Sequence, residues 1–446
     1  MSDSGFSYSF DQIKQMSEDV LKVAKRLGAS SAEAELSLSI GQNVSVRMGE
    51  VENIEYNRDK GMSVTVYFGK QKGHASTSDM SPQALADTVA AACNIAKYTA
   101  QDEFCGLADP ELMATDIQDL DLHHPWDISV DEAIEIARIC EAAALGVDSR
   151  ITNSEGASVS TGTGFFAYSN SHGFTGGYSS SRHGVSCSVI AESGGSMQRD
   201  YWYSTARAAE DLQSAVDIGT VAGERTVRRL NAKKIKTCQV PVLFEAPLAS
   251  GLISTLISAI SGGNLYRKSS FLLDSLGKQI ASPLLNIYED PFIKKGLASS
   301  PFDNEGVATK ARQLVQDGVL QGYVLSSYSA RKLGMKTTGN AGGNHNLMIR
   351  PGANDFAGLL KQMGTGLVVT ELLGHGMNMV TGDYSRGAAG FWVENGMIVH
   401  PVEEITIASN MVDMLKAIVG VGNDVLVQGS KQVGSILIER MTVASD

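Results

Sequence analysis

The sequence has no apolar run long enough to cross a membrane, no C-x-x-C pair and no excess of positive charge. A span needs about 18 consecutive apolar residues. The best stretch, Leu252 to Ile260, has nine residues with serines inside it. The opening MSDSGFSYSF carries neither a basic nor an apolar segment, so no secretory signal is expected. Five cysteines, Cys93, Cys105, Cys140, Cys187 and Cys238, are an odd number without metal-site spacing. They read as free thiols of a reducing, cytoplasmic compartment. Lys and Arg number 37 against 49 Asp and Glu, a net charge of −12. That balance disfavours gripping a phosphate backbone, so no direct nucleic-acid contact and no membrane partner are expected.

The common catalytic signatures are missing too. There is no G-x-x-x-x-G-K-[ST], no G-x-S-x-G elbow and no H-E-x-x-H. Gly339 to Asn344 reads as a tight glycine loop. Glu371 and His375 are four apart, but the flanks read as a strand entering a glycine turn, where this spacing separates the two groups. His123 and His124 stand side by side before Pro125, where adjacent side chains diverge, and the remaining histidines are scattered.

What is present is an α+β pattern. Phe10 to Leu27 repeats apolar residues at helical spacing and ends at Gly28. Alternation over 34–40 and 62–68, with Val44 to Tyr56 between, predicts an antiparallel meander. Helices are expected over 81–98, 129–145 and 211–230, the first opening on Ser-Pro. The polar segment NAKKIKT marks a boundary near 231–237. It gives an N-terminal unit, 1–232, of helices on an antiparallel sheet, and a C-terminal unit, 233–446, of many short strands and hairpins. Asp317-Gly318 and Asn395-Gly396 are the hairpin signals there. Val240–Phe244 reads as a buried strand and 247–260 as a helix.

Long strings in the second half carry more: GGNLYRKSSFLLDSLGKQI (262–280), GLASSPFDNEGVATK (296–310), SSYSARKLG (326–334), TGDYSRGAAGFWVENG (381–396), PVEEITIASN (401–410) and VGNDV (421–425). Together they resemble the PmbA/TldE branch of the TldD/PmbA family. The resemblance implies a cytosolic zinc metalloprotease of two kinds of subunit, acting on peptides and unfolded proteins. Its TldD-like subunit carries H-E-x-x-x-H on a helix after a buried strand, plus a later cysteine. Two histidines one turn apart chelate the ion, and the glutamate takes a proton from bound water. At the matching positions this chain has Glu245, Ala246 and Ser250, and no cysteine follows Cys238. Ala246 cannot act as a base. One carboxylate and one hydroxyl fall far short of the roughly 10–16 kcal/mol of a complete structural zinc site.

The resemblance therefore implies a subunit that binds no zinc itself, with zinc in a TldD-like partner, and leaves a homodimer open. Arg267, Lys268, Asp383, Tyr384 and Arg386 are its candidate substrate contacts, with Asp383 and Arg386 pairing across a loop. The small residues Ala388-Ala389-Gly390 leave room for another strand, such as an extended peptide. Two alternatives remain: a metalloprotease with a rebuilt site, Glu245 joined by His375 or His345, and a non-enzymatic binding or regulatory protein acting indirectly on DNA gyrase.

Overall fold

A computed structural model describes residues 8–445, so the part of the signal reading that rests on residues 1–7 lies outside the described residues. Chain order begins with α1 (Phe10–Arg26), β1 (Ser31–Arg47), β2 (Glu50–Phe68), β3 (Gln71–Thr77) and α2 (Pro82–Tyr98). It continues with α3 (Val130–Leu145), β4 (Ile151–Asn170), β5 (Thr175–Ser193), β6 (Ser196–Ala206) and α4 (Ala215–Val227). Ser9, Ser81, Ser129 and Ser214 cap the four helices by accepting the N3 amide hydrogen. The last helix is shorter than its sequence pattern. Ser214 sets its start, and Ala209–Asp211 forms a separate 3₁₀ turn.

The six strands make one antiparallel sheet, β3-β2-β1-β4-β5-β6. Strict alternation puts Leu36, Leu38, Val44 and Val46 of β1 on one face. At one end of that face α1 and α2 cover Leu36 and Val64. At the other, α3 and α4 cover Val46, Val159 and Val189.

The second half supplies β7 (Cys238–Phe244), α5 (Ala246–Ala259), α6 (Gly262–Tyr266), β8 (Ile287–Asp290), β9 (Arg312–Gln316), β10 (Val319–Leu320) and α7 (Ser327–Lys332). Then come β11 (Asn346–Ile349), α8 (Phe356–Met363), β12 (Gly366–Leu373), β13 (Asp383–Glu394), β14 (Met397–Asn410) and α9 (Met411–Lys416). β15 (Ile418–Val421), β16 (Leu426–Val427), β17 (Lys431–Val433) and β18 (Ile436–Ser445) complete it. Both expected hairpins form, β9–β10 and β13–β14. One mixed sheet runs β10-β9-β8-β11-β17-β16. The other runs β14-β13-β12-β7-β18-β15, and a further β14–β18 pairing closes it on itself. The apolar helix α5 lies in the core with both sheets.

This closure corrects the reading of Ala388-Ala389-Gly390. Both edges of β13 are already paired, to β12 and β14, so no extended peptide can join the sheet there. The strand that needs the missing bulk is β12: a Cβ on Gly390 would lie 1.8 Å from the Val368 carbonyl oxygen. Gly390→Ala should therefore lower the unfolding free energy by about 3 kcal/mol, the upper end of ordinary overpacking. Urea titration followed by circular dichroism measures it. Among the described residues no helix is long and apolar enough to cross a membrane.

Candidate functional site

The motif position lies where β7 hands over to α5. Glu245 is the N-cap of α5, with Ala246 and Pro247 in the first turn. Its amide donates to the Val369 carbonyl of the parallel neighbour β12 (3.3 Å). Its side chain is buried and turned to α4, and both of its oxygens are taken. Arg228 Nη2 donates to Oε1 at 2.8 Å and Arg225 Nη1 to Oε2 at 3.1 Å.

Three arginines come to this place because Arg225 sits in the last turn of α4, Arg228 is its C-cap and Arg229 follows directly. Arg225 Nε lies 3.3 Å from Asp200 of β6, and Arg229 reaches both Asp200 (3.6 Å) and Glu371 of β12. Three guanidiniums thus face three carboxylates in a largely buried cluster. Burial alone would depress the Arg225 guanidinium, but Glu245 and Asp200 outweigh it, and its affinity for its proton rises. The ring of Trp202 lies 5.3 Å from Arg225, and that of Phe391 lies 5.0 Å from Arg228.

The donor set does not fit a hydrolytic metal ion. Beside Glu245, Ala246 has no lone pair, and the Ser250 hydroxyl donates to the Pro247 carbonyl (2.7 Å). Cations already hold the carboxylate. Among the described residues, no three His, Cys, Asp or Glu side chains come together as a metal-binding group. His375 is exposed beyond the Gly374 turn, where φ is +70°. His345 is buried elsewhere, against the Gly339 carbonyl (3.0 Å). Neither is brought to Glu245. In the glycine loop, the Ala341 amide donates to Asp303 (2.9 Å).

Next to the cluster is a cavity of about 340 Å³. Tyr201, Trp202 and Tyr203 form one wall, Thr370 to Leu373 another, and Pro247 and Leu248 lie at its α5 side. β6 is the edge of its sheet, and β7 pairs with β12 only from Leu367 to Val369. Two strand edges therefore line the same cavity. The Thr370 hydroxyl is buried with no partner.

The other candidates do not line it. Arg267 caps α6 and packs over Tyr266 (5.4 Å), and Lys268 follows at φ +57°; both are exposed. Asp383 and Arg386 do not pair. Asp383 accepts from Thr381 (2.6 Å) and Asn410 (3.2 Å), which hold its carboxyl below the usual range. Arg386 donates to the Gly374 carbonyl (2.7 Å). Between them the Tyr384 hydroxyl is buried, and burial pushes it up to about 12 against the pull of Arg386. Sequence reasoning missed the arginine cluster and the Tyr201-Trp202-Tyr203 wall. The R-x-x-R-R spacing in ERTVRRL was the available signal.

Residues 32–96, 123–230 and 237–445 match, in order, domain 1, the central domain and the C-terminal domain of the PmbA/TldA metallopeptidases. The chain is 51% identical over 434 residues to the metalloprotease PmbA of Escherichia coli O157:H7, covering 97% of this chain and 96% of that one. The fold superposes with a TM-score of 0.93 on a candidate modulator of DNA gyrase from Bacteroides thetaiotaomicron, at 29% identity, over 98% of this chain and all of the other. TldE from Thermococcus kodakarensis has the same fold, with a TM-score of 0.85 at 21% identity over 96% of this chain and all of that one.

Proposed function

The chain belongs to the PmbA/TldD family of metallopeptidases, and on that premise we propose that it is a zinc-free, TldE-type subunit. It pairs with a TldD-like catalytic subunit in the cytosol and completes the chamber in which peptides and unfolded segments are cleaved. The observation that carries this reading is the fate of Glu245, which stands at the first ligand position and is gripped by two guanidiniums. The adjacent Ala246 removes the base. The cavity between β6 and the end of β12 supports a role in holding substrate. On β6, Arg229 and Gln428 already donate to the Arg199 and Tyr203 carbonyls and Asp200 accepts from the Tyr201 amide, so the end of β12 beyond Val369 is the edge that takes an extended peptide through main-chain hydrogen bonds, with little regard to its side chains. Aromatic Tyr201 and Trp202 offer apolar contact there. We also propose 1–232 and 233–446 as the two structural units. Every strand of the first sheet precedes that boundary, and every strand of the other two follows it.

Elemental analysis and a peptidase assay test the reading. The purified chain should hold no stoichiometric zinc and cleave nothing. Addition of the TldD-like subunit should give cleavage that a chelator abolishes. Chelator-sensitive cleavage by this chain alone would overturn the proposal.

A further inference from the structure

Helices cover one face of the first sheet. On the other face stand Glu33 of β1, Tyr67 of β2, Lys72 of β3 and Tyr168 of β4, which alternation turns away from the side of Ala34, Val66 and Ala167. The second half of the chain closes over this face with Glu305 and, from α7, Tyr328. A cavity of about 560 Å³ remains between the two halves. That is the size of a small-ligand site, and such sites favour junctions between packed units.

The carboxylates of this cavity have no counter-charge. Glu33 accepts from the Tyr67 hydroxyl (2.8 Å) and the Tyr168 hydroxyl (2.7 Å). Glu305 accepts from the Ser327 amide (2.9 Å). Neither forms an ion pair among the described residues, because the nearby cations are engaged elsewhere. Arg331 donates to the Gly106 carbonyl (3.0 Å) and meets Asp109 (3.2 Å), so it acts on Glu305 only at longer range. Lys332 meets Asp102 (3.6 Å), and Lys70 donates to the Cys105 carbonyl (2.9 Å). Burial and the charge of Glu33 push the Glu305 carboxyl above its ordinary range. A cation set between the two would relieve that repulsion. Beside Glu305 the Ser327 hydroxyl is buried with no hydrogen-bond partner, a polar group left for something bound to complete.

One ammonium is also left over. Lys72 stands exposed on the edge strand β3, forms no ion pair among the described residues, and acts on Glu35 only at longer range. β2 lies between β1 and β3, so Glu33 and Lys72 are two strand spacings apart, roughly 10 Å. The two charges of a free amino acid are too close together to meet both. Two or three linked residues, at up to about 3.6 Å each, span the gap once the lysine stem reaches inward. Ile95 and Leu107 offer the side chains apolar contact, and Tyr328 an aromatic one.

We infer that this cavity binds a free di- or tripeptide, with its ammonium group between Glu33 and Glu305 and its carboxylate on Lys72. Peptides of this size are what hydrolysis of longer chains yields, so the ligand is of the class that a peptidase releases. The inference goes beyond the proposed function and is read on the chain alone, without a catalytic partner.

Isothermal titration calorimetry of the purified full chain with Ala-Leu-Ala tests it. One peptide should bind per chain. Acetylating the peptide's N-terminus removes the ammonium and should weaken binding at least about tenfold. Amidating its C-terminus should weaken binding only about threefold, because Lys72 is exposed. Glu305→Gln should also cost about tenfold, although glutamine can still accept from the Ser327 amide. Lys72→Ala should make the chain indifferent to amidation. Failure of Ala-Leu-Ala to bind would overturn the inference. So would equal affinity for the acetylated peptide, unchanged affinity in Glu305→Gln, or a preference for the free carboxylate that survives Lys72→Ala. Circular dichroism of each variant separates loss of the site from loss of fold.

Discussion

Arg225→Met should lower the unfolding free energy by about 3 kcal/mol, although methionine fills similar space and packs well in apolar surroundings. The arginine touches two buried carboxylates, Asp200 and Glu245. Each keeps a second guanidinium, Arg229 and Arg228 respectively, so neither is stripped bare. That holds the loss to the lower end of the 3–5 kcal/mol typical when one partner of a buried pair is removed. Pairing Arg225→Met with Glu245→Gln removes the carboxylate left with a single guanidinium and should return part of the loss. A double-mutant cycle measures that coupling. Trp202 lies over the Arg225 guanidinium, so its fluorescence reports the local change during denaturant titration. Equal losses for Arg225→Met with and without Glu245→Gln would show that the two do not act as a pair.

This cluster also marks the limit of what the sequence made legible. Helices α1, α2 and α3 were readable because their apolar spacing and serine caps lie within one turn of the chain. The hairpin β13–β14 was readable from Asn395-Gly396, whose residues both adopt positive φ. The altered motif at Glu245, Ala246 and Ser250 was readable as a set of missing donors. What replaces those donors was not readable. Asp200, Arg225, Glu245 and Glu371 come from four elements, and no local period brings them together. The same limit explains Gly390. Its lack of bulk was visible, but the strand approaching it is fixed by a pairing across some twenty residues and by closure of the sheet through β18. Asp383 and Arg386 suggested a pair because they are close in sequence and opposite in charge. On β13 they find other partners, since Thr381, Asn410 and the Gly374 carbonyl are nearer.

Restoring the motif letters alone should not restore a zinc site. In the variant Glu245→His/Ala246→Glu/Ser250→His, the ligands of H-E-x-x-x-H return to α5, but Arg225 and Arg228 still point at position 245. A dication about 5 Å from one guanidinium is repelled by roughly 7 kcal/mol at an effective dielectric of 20. Two such charges, even partly screened by Asp200 and Glu371, should weaken zinc by at least about four orders of magnitude relative to a complete site. No cysteine follows Cys238 to add a thiolate. Adding Arg225→Leu and Arg228→Leu to the triple variant should recover most of the affinity. With those two guanidiniums gone, the histidines meet no cation at position 245, while Asp200 stays engaged by Arg229 (3.6 Å). Competition titration against a zinc-sensitive dye measures both variants. Tight zinc binding by the triple variant with both arginines intact would show that the cations yield to the metal. The guanidinium grip on residue 245 would then not be what excludes it.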